Sequence, residues 1–166
     1  AIDHYEQALS IARESGDKHS EGSHLGNLGD VLRIQGQLEQ AIDHYEQALS
    51  IARESGNKKV EGTQIGNLGS IYFSQGQLEQ AIDHYEQALS IARESGDKKA
   101  EGNCLGNLGS VYQLQGLLNQ ALEHYKEALR IASSGTGVSR VISRNGLPSA
   151  ISMAVTSDVT VKGAAL

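Results

Sequence analysis

No tryptophan occurs among the 166 residues, and proline, cysteine, methionine and phenylalanine appear once each. A single cysteine, Cys104, excludes an internal disulfide and calls for no oxidising compartment, so a cytoplasmic location is expected. No apolar run approaches the roughly 20 residues that a bilayer-spanning helix requires. Basic residues are also scarce: 14 Lys and Arg face 20 Asp and Glu, a net charge of −6. Nucleic-acid binding depends on clustered Lys and Arg that neutralise phosphates, and this balance does not favour it. The chain starts inside a repeat, so the lack of a leader peptide decides nothing.

What is present is repetition. The 16 residues AIDHYEQALSIARESG occur unchanged from Ala1, Ala41 and Ala81, and a drifted copy, ALEHYKEALRIASSG, starts at Ala121. Self-similarity at a 40-residue period marks a stack of supersecondary units, each burying its apolar face against its neighbours. Within residues 17–56, Leu38, Ile42, Tyr45, Leu49 and Ala52 recur at steps of three and four. That spacing is the mark of a helix with one buried face, widened here by Ala41 and Ala48. Leu25, Leu28 and Leu32, with Val31 beside them, form the matching stripe on the preceding segment. Gly16, Gly36 and Gly56 stand where helices should stop. Asp17, Asn57 and Asp97 follow such stops and are N-cap candidates. Each repeat is expected to be two antiparallel helices of about 17 residues joined by a tight turn.

Gly29, Gly69 and Gly109 lie inside the first helix of each pair, where glycine costs roughly 1 kcal/mol relative to alanine. Close packing is the expected reason, with Ala41, Ala81 and Ala121 as the opposing surface. Gly22, Gly26 and Gly29 sit in too polar a helix for a membrane dimer motif. They also lack the strand and lysine of a phosphate loop, and no cofactor is expected.

These residues resemble the tetratricopeptide repeat. LGNLGDVL (25–32), IGNLGSIY (65–72) and LGNLGSVY (105–112) are similar to its first-helix signature. Ala41, Tyr45 and Ala48, with Ala81, Tyr85, Ala88 and Ala121, Tyr125, Ala128, match the small–aromatic–small pattern of its second helix. The 40-residue period resembles the Pins/LGN and kinesin-light-chain subgroup and bacterial arrays of that kind. The chain departs from the pattern in having Leu25, Ile65 or Leu105 for the bulky first aromatic, Leu32 where Tyr72 and Tyr112 stand, and no inter-repeat proline. The resemblance covers residues 1–134 and implies an all-α, right-handed α-solenoid of antiparallel helix pairs whose first helices line a concave groove. The expected layout is an orphan second helix at 1–15 and repeats near 17–56, 57–96 and 97–134.

On the first helices, steps of three and four align Ser23, Asn27 and Asp30; Thr63, Asn67 and Ser70; and Asn103, Asn107 and Ser110. Asn27, Asn67 and Asn107 form a ladder of amides, each able to donate to and accept from a peptide backbone. Gly26, Gly66 and Gly106 beside them leave room for that backbone. The resemblance implies peptide contact at these asparagines. It also implies that the basic clamp of the chaperone-binding members is absent, because its places hold Ser23, Thr63 and Asn103. Arg33, Phe73 and Gln113, on the other rim, differ between repeats and are the expected specificity positions: Arg33 for an acidic side chain, Phe73 for an apolar one.

Chemistry beyond binding finds no support. His4, His44, His84 and His124 are equivalent residues on successive helices spaced roughly 8–10 Å apart, too far to share one zinc at about 2 Å. No nucleophile–base set or paired carboxylates emerge, so a non-enzymatic scaffold for a protein or peptide partner is expected. The alternatives are a self-assembly module that oligomerises through repeat ends, with Ile2, Tyr5 and Leu9 exposed, and a sensor or docking array of a larger enzyme or regulator. Residues 135–166 break the period and read as a cap, a linker or a non-native segment, with a short helix expected near Pro148.

Overall fold

The computed structural model describes residues 2–134, and the expectations for residues 135–166 lie outside them. Seven helices make up the described residues: α1 (Ile2–Ser15), α2 (Lys18–Ile34), α3 (Leu38–Glu54), α4 (Lys58–Ser74), α5 (Leu78–Ser95), α6 (Lys98–Leu114) and α7 (Leu118–Ser134). Consecutive helices pack on one another, and α4 also touches α6, so the first helices of successive repeats lie side by side. This is an all-α helical repeat.

Every turn is closed in the same way. Gly36 and Gly56 take φ of 77° and 67°, a left-handed conformation that an L side chain would resist. Gly36 N–H donates to Arg33 O at 3.1 Å and Gln37 N–H to Leu32 O at 2.9 Å, the paired bonds that satisfy a helix's last carbonyls. The turns between repeats add a side-chain cap: Asp17, Asn57 and Asp97 accept from the backbone N–H of Ser20, Val60 and Ala100. The turns inside repeats, at Gln37 and Gln77, have no such cap.

The core follows both predicted stripes. Leu25, Leu28, Leu32, Ala41, Tyr45, Ala48, Leu49 and Ala52 are buried, and Leu38 and Ile42 pack at its margin. Two expectations need correction. The surface opposing Gly29 is the Tyr45 ring rather than Ala41: a Cβ on Gly29 would stand 2.6 Å from it. Gly69 and Gly109 face Tyr85 and Tyr125 in the same way, at 3.0 and 2.7 Å. At the first end, Leu9 is buried and Tyr5 half-buried, because both pack with Leu25 and Leu28 of α2, whereas Ile11 of α1 is exposed.

Candidate functional site: a polar groove on the first helices

The first helices bring part of the predicted set together. Thr63, Asn67 and Ser70 of α4 face Asn103 and Asn107 of α6 across a cleft of about 180 Å³, with Ala88 and Ile91 of α5 beneath. Lys58, Lys59 and Asp97 also line the cleft, with Lys59 Nζ 3.9 Å from the Asp97 carboxylate, and Cys104 lies in its wall. Burial, then the nearby Asp97 carboxylate, pushes the Cys104 thiol up to about 11, so it stays protonated at neutral pH. Ser23, Asn27, Asp30 and Arg33 of α2 lie outside this cleft, as do Phe73, Ser110 and Gln113.

Hydrogen bonding divides the candidates into free and engaged groups. Among the described residues no side-chain hydrogen bond engages the amides of Asn27, Asn67 or Asn107; Asn27 and Asn107 are exposed and Asn67 half-buried. Ser23 and Thr63 turn their hydroxyl protons back to the carbonyls of His19 and Lys59 at 3.0 and 2.9 Å. Asp30, Ser70 and Ser110 are committed inside their repeats. The Tyr45 hydroxyl donates to Asp30 at 2.6 Å, Tyr85 donates to Ser70 at 3.1 Å, and Tyr125 pairs with Ser110 at 3.0 Å. Tyr125 also donates to Gln113 at 3.0 Å. Burial, then the Asp30 carboxylate, raises the Tyr45 phenol well above its ordinary range, with Arg33 opposing the shift. Phe73 packs partly against the core, while Arg33 is exposed.

The neighbouring glycines differ more than their equivalence suggested. A Cβ on Gly106 would meet nothing within 4 Å, and one on Gly66 only Ala88 at 3.9 Å. On Gly26 it would meet Gln64 Nε2 at 2.9 Å, so that approach is filled by the next repeat. The histidines take part in packing. His44, His84 and His124 each set Nδ1 2.8–2.9 Å from the carbonyl four residues earlier, which makes Nδ1–H the donor. The His84 and His124 rings lie 4.8 and 5.1 Å from those of Tyr72 and Tyr112.

Sequence reasoning missed the groups that lock one repeat to the next. Glu21, Glu61 and Glu101 are buried at the start of each first helix. Each accepts from a lysine three residues earlier (Lys18, Lys58, Lys98) at 2.7–2.8 Å and from an arginine of the preceding helix (Arg13, Arg53, Arg93) at 3.1–3.3 Å. The lysine bond chiefly holds each carboxyl below the ordinary range, against the opposing effect of burial, and the arginine adds to it. The signal was visible as a Lys-x-x-Glu following an Arg at the same offset in every period.

The Tetratricopeptide repeat model matches residues 1–54 and 61–134. The chain belongs to the tetratricopeptide repeat family. Three solved structures share the architecture. BtubC (BKLC) from P. vanneervenii is 26% identical over 82% of this chain and 57% of its own, with a TM-score of 0.72. Aspartyl phosphate phosphatase F from Bacillus subtilis is 21% identical over 85% of this chain and 36% of its own, with a TM-score of 0.78. A Podospora anserina protein described as putative kinesin light chain nearly identical TPR-like repeats is 19% identical over 82% of this chain and 67% of its own, with a TM-score of 0.64. This chain thus spans little more than half of BtubC and about a third of the phosphatase. No curated protein matches. Membership of this family supports a protein-interaction scaffold in general terms. No helix among the described residues is long and apolar enough to cross a membrane.

Proposed function

We propose that the groove along α2, α4 and α6 holds an extended segment of a partner protein. The observation that carries this reading is the unbonded amide ladder Asn27, Asn67 and Asn107, two members of which line one cleft while the hydroxyls around them are already satisfied. An amide with free donors and a free acceptor pairs with a peptide backbone whatever its side chains, and a row of them sets the strand's register. Arg33, Phe73 and Gln113 then bias side-chain choice repeat by repeat. The test is selection of a displayed library of random 12-residue peptides on the chain, followed by binding to Asn67→Ala/Asn107→Ala. Selected peptides lose binding to this variant while its circular dichroism stays unchanged; retained binding refutes the ladder.

A second reading is assembly through the repeat ends. Leu129 of α7 is 38% exposed, whereas its equivalents Leu49 and Leu89 are 8% and 7% exposed under the next first helix. Light scattering across a wide concentration range tests it: a mass that stays monomeric removes this reading.

A further inference from the structure

On the second helices an arginine clasp joins one helix to the next. Arg13 Nη2 donates to Gln47 Oε1, and Arg93 Nη2 to Glu127 Oε1, both at 3.1 Å. The middle junction has the same two residue types as the first, Arg53 and Gln87. Among the described residues, however, Arg53 makes only its Nε bond to Glu61, at 3.3 Å. Where this clasp stands open, a cavity of about 440 Å³ lies between α3, α4 and α5. It shares no lining residue with the cleft of the first helices. Its residue types match those at the first junction except for Ile65 in place of Leu25. The two junctions therefore display one site in a closed and an open state.

The open cavity has an apolar floor and an acceptor-rich rim. Leu49, Ile65 and Leu68 form the floor. On the rim, Glu46 makes no hydrogen bond or ion pair among the described residues, and Glu54 accepts only from Ser50, at 3.3 Å. His84 turns Nδ1–H to the Gln80 carbonyl at 2.8 Å, which leaves Nε2 of the neutral ring as a further acceptor. Two carboxylates against the Arg53 guanidinium give the lining a net charge of −1, and the buried Glu61 already balances that guanidinium. The acidity extends beyond the cavity. Glu39, Asp43, Glu46 and Glu54 against Arg53 give α3 a net of −3, and the same residue types recur in α5.

We propose that this cavity receives a lysine side chain of a partner protein docked against the second helices. The methylene stem lies along Leu49, Ile65 and Leu68 while the ammonium reaches Glu46 and Glu54, the division of labour that a long cationic side chain allows. An anion would meet those two carboxylates instead. Because the negative charge spreads over both α3 and α5, a chain carrying several lysines suits the face better than a free amine. The guest binds the open state alone, so closure of Arg53 onto Gln87 competes with it.

The test measures binding of fluorescein-labelled hexalysine to the full chain by anisotropy at low salt. Binding is expected to weaken about 2- to 30-fold in E46Q/E54Q. It should change less in E86Q/E94Q, which removes the equivalent carboxylates where the Arg93–Glu127 clasp is closed. Gln87→Glu separates cavity from charge, because it copies Glu127 and draws Arg53 into the closed clasp while adding a negative charge. Weaker binding to this variant is expected, and tighter binding would overturn the proposal. Equal losses in the two carboxylate variants, or no binding at all, would overturn it as well. Loss of binding in N67A/N107A would also overturn it, by moving the peptide to the groove of the first helices. Pentylamine that binds as tightly as hexalysine, with the same response to E46Q/E54Q and Gln87→Glu, would overturn the assignment to a partner protein.

Discussion

The Tyr45 ring lies so close to Gly29 that a Cβ at residue 29 would stand 2.6 Å from the nearest ring carbon. Tyr45 is fully buried, which leaves the ring no room to retreat. Two opposing effects meet in Gly29→Ala. Helix propensity favours alanine by about 1 kcal/mol, while overpacking a filled core costs about 1–3 kcal/mol. The steric term wins, and thermal unfolding should show a lowered midpoint. Gly106→Ala meets nothing within 4 Å and keeps only the propensity gain, so its midpoint should rise. A rise in both variants would mean that the tyrosine contact is not limiting.

The tyrosine hydroxyls provide a graded comparison between repeats. Tyr45 donates to a carboxylate, Asp30, at 2.6 Å, and Tyr85 to a neutral hydroxyl, Ser70, at 3.1 Å. Hydrogen bonds to charged groups contribute about 1.5–3 kcal/mol and neutral ones about 0.5–1.5. Tyr45→Phe should therefore destabilise more than Tyr85→Phe in urea unfolding. The gap should close in an Asp30→Ser background, which makes the first repeat like the second at this position. Equal costs in the unaltered background would show that the charge of Asp30 contributes nothing.

The three buried glutamates predict a response to acid. Each has a folded-state pKa held below its ordinary value of 4.5, so each contributes stability above that pH and loses it as pH falls through the lowered value. Melting temperature should hold from neutral pH to about 5 and then fall progressively below it. Replacing Glu21, Glu61 and Glu101 with glutamine should lower stability at pH 7 and flatten the acid limb. An unchanged acid limb would place the sensitivity in other carboxylates.

Much of the fold was legible because repetition supplies its own control. A stripe such as Leu25, Leu28 and Leu32 is suggestive once and decisive when Ile65, Leu68 and Ile71 reproduce it one period later. Turn glycines and cap residues were readable for a local reason, since Gly36 or Asp17 acts on backbone groups within five residues of itself. The ladder asparagines were likewise placed by helical periodicity alone. The committed state of Asp30, Ser70 and Ser110 was not legible, because their tyrosine partners stand 15 residues away on another helix. Whether Gly26 and Gly106 are alike was equally out of reach: their surroundings differ through Gln64, a residue of the next repeat.

For the described residues, the amino-acid sequence determined the number and approximate bounds of the helices, their pairing, and the face on which the polar ladder lies, because these follow from 3.6-residue periodicity and from bonds local to each turn. Only the tertiary structure decided which polar groups remain free. Packing one helix on the next satisfied Asp30 and Ser70, sealed Gly26, and drew Lys58 to a buried glutamate while leaving Lys59 in water. Availability for binding depends on what neighbours leave unpaired, and neighbours across helices are set by three-dimensional contact.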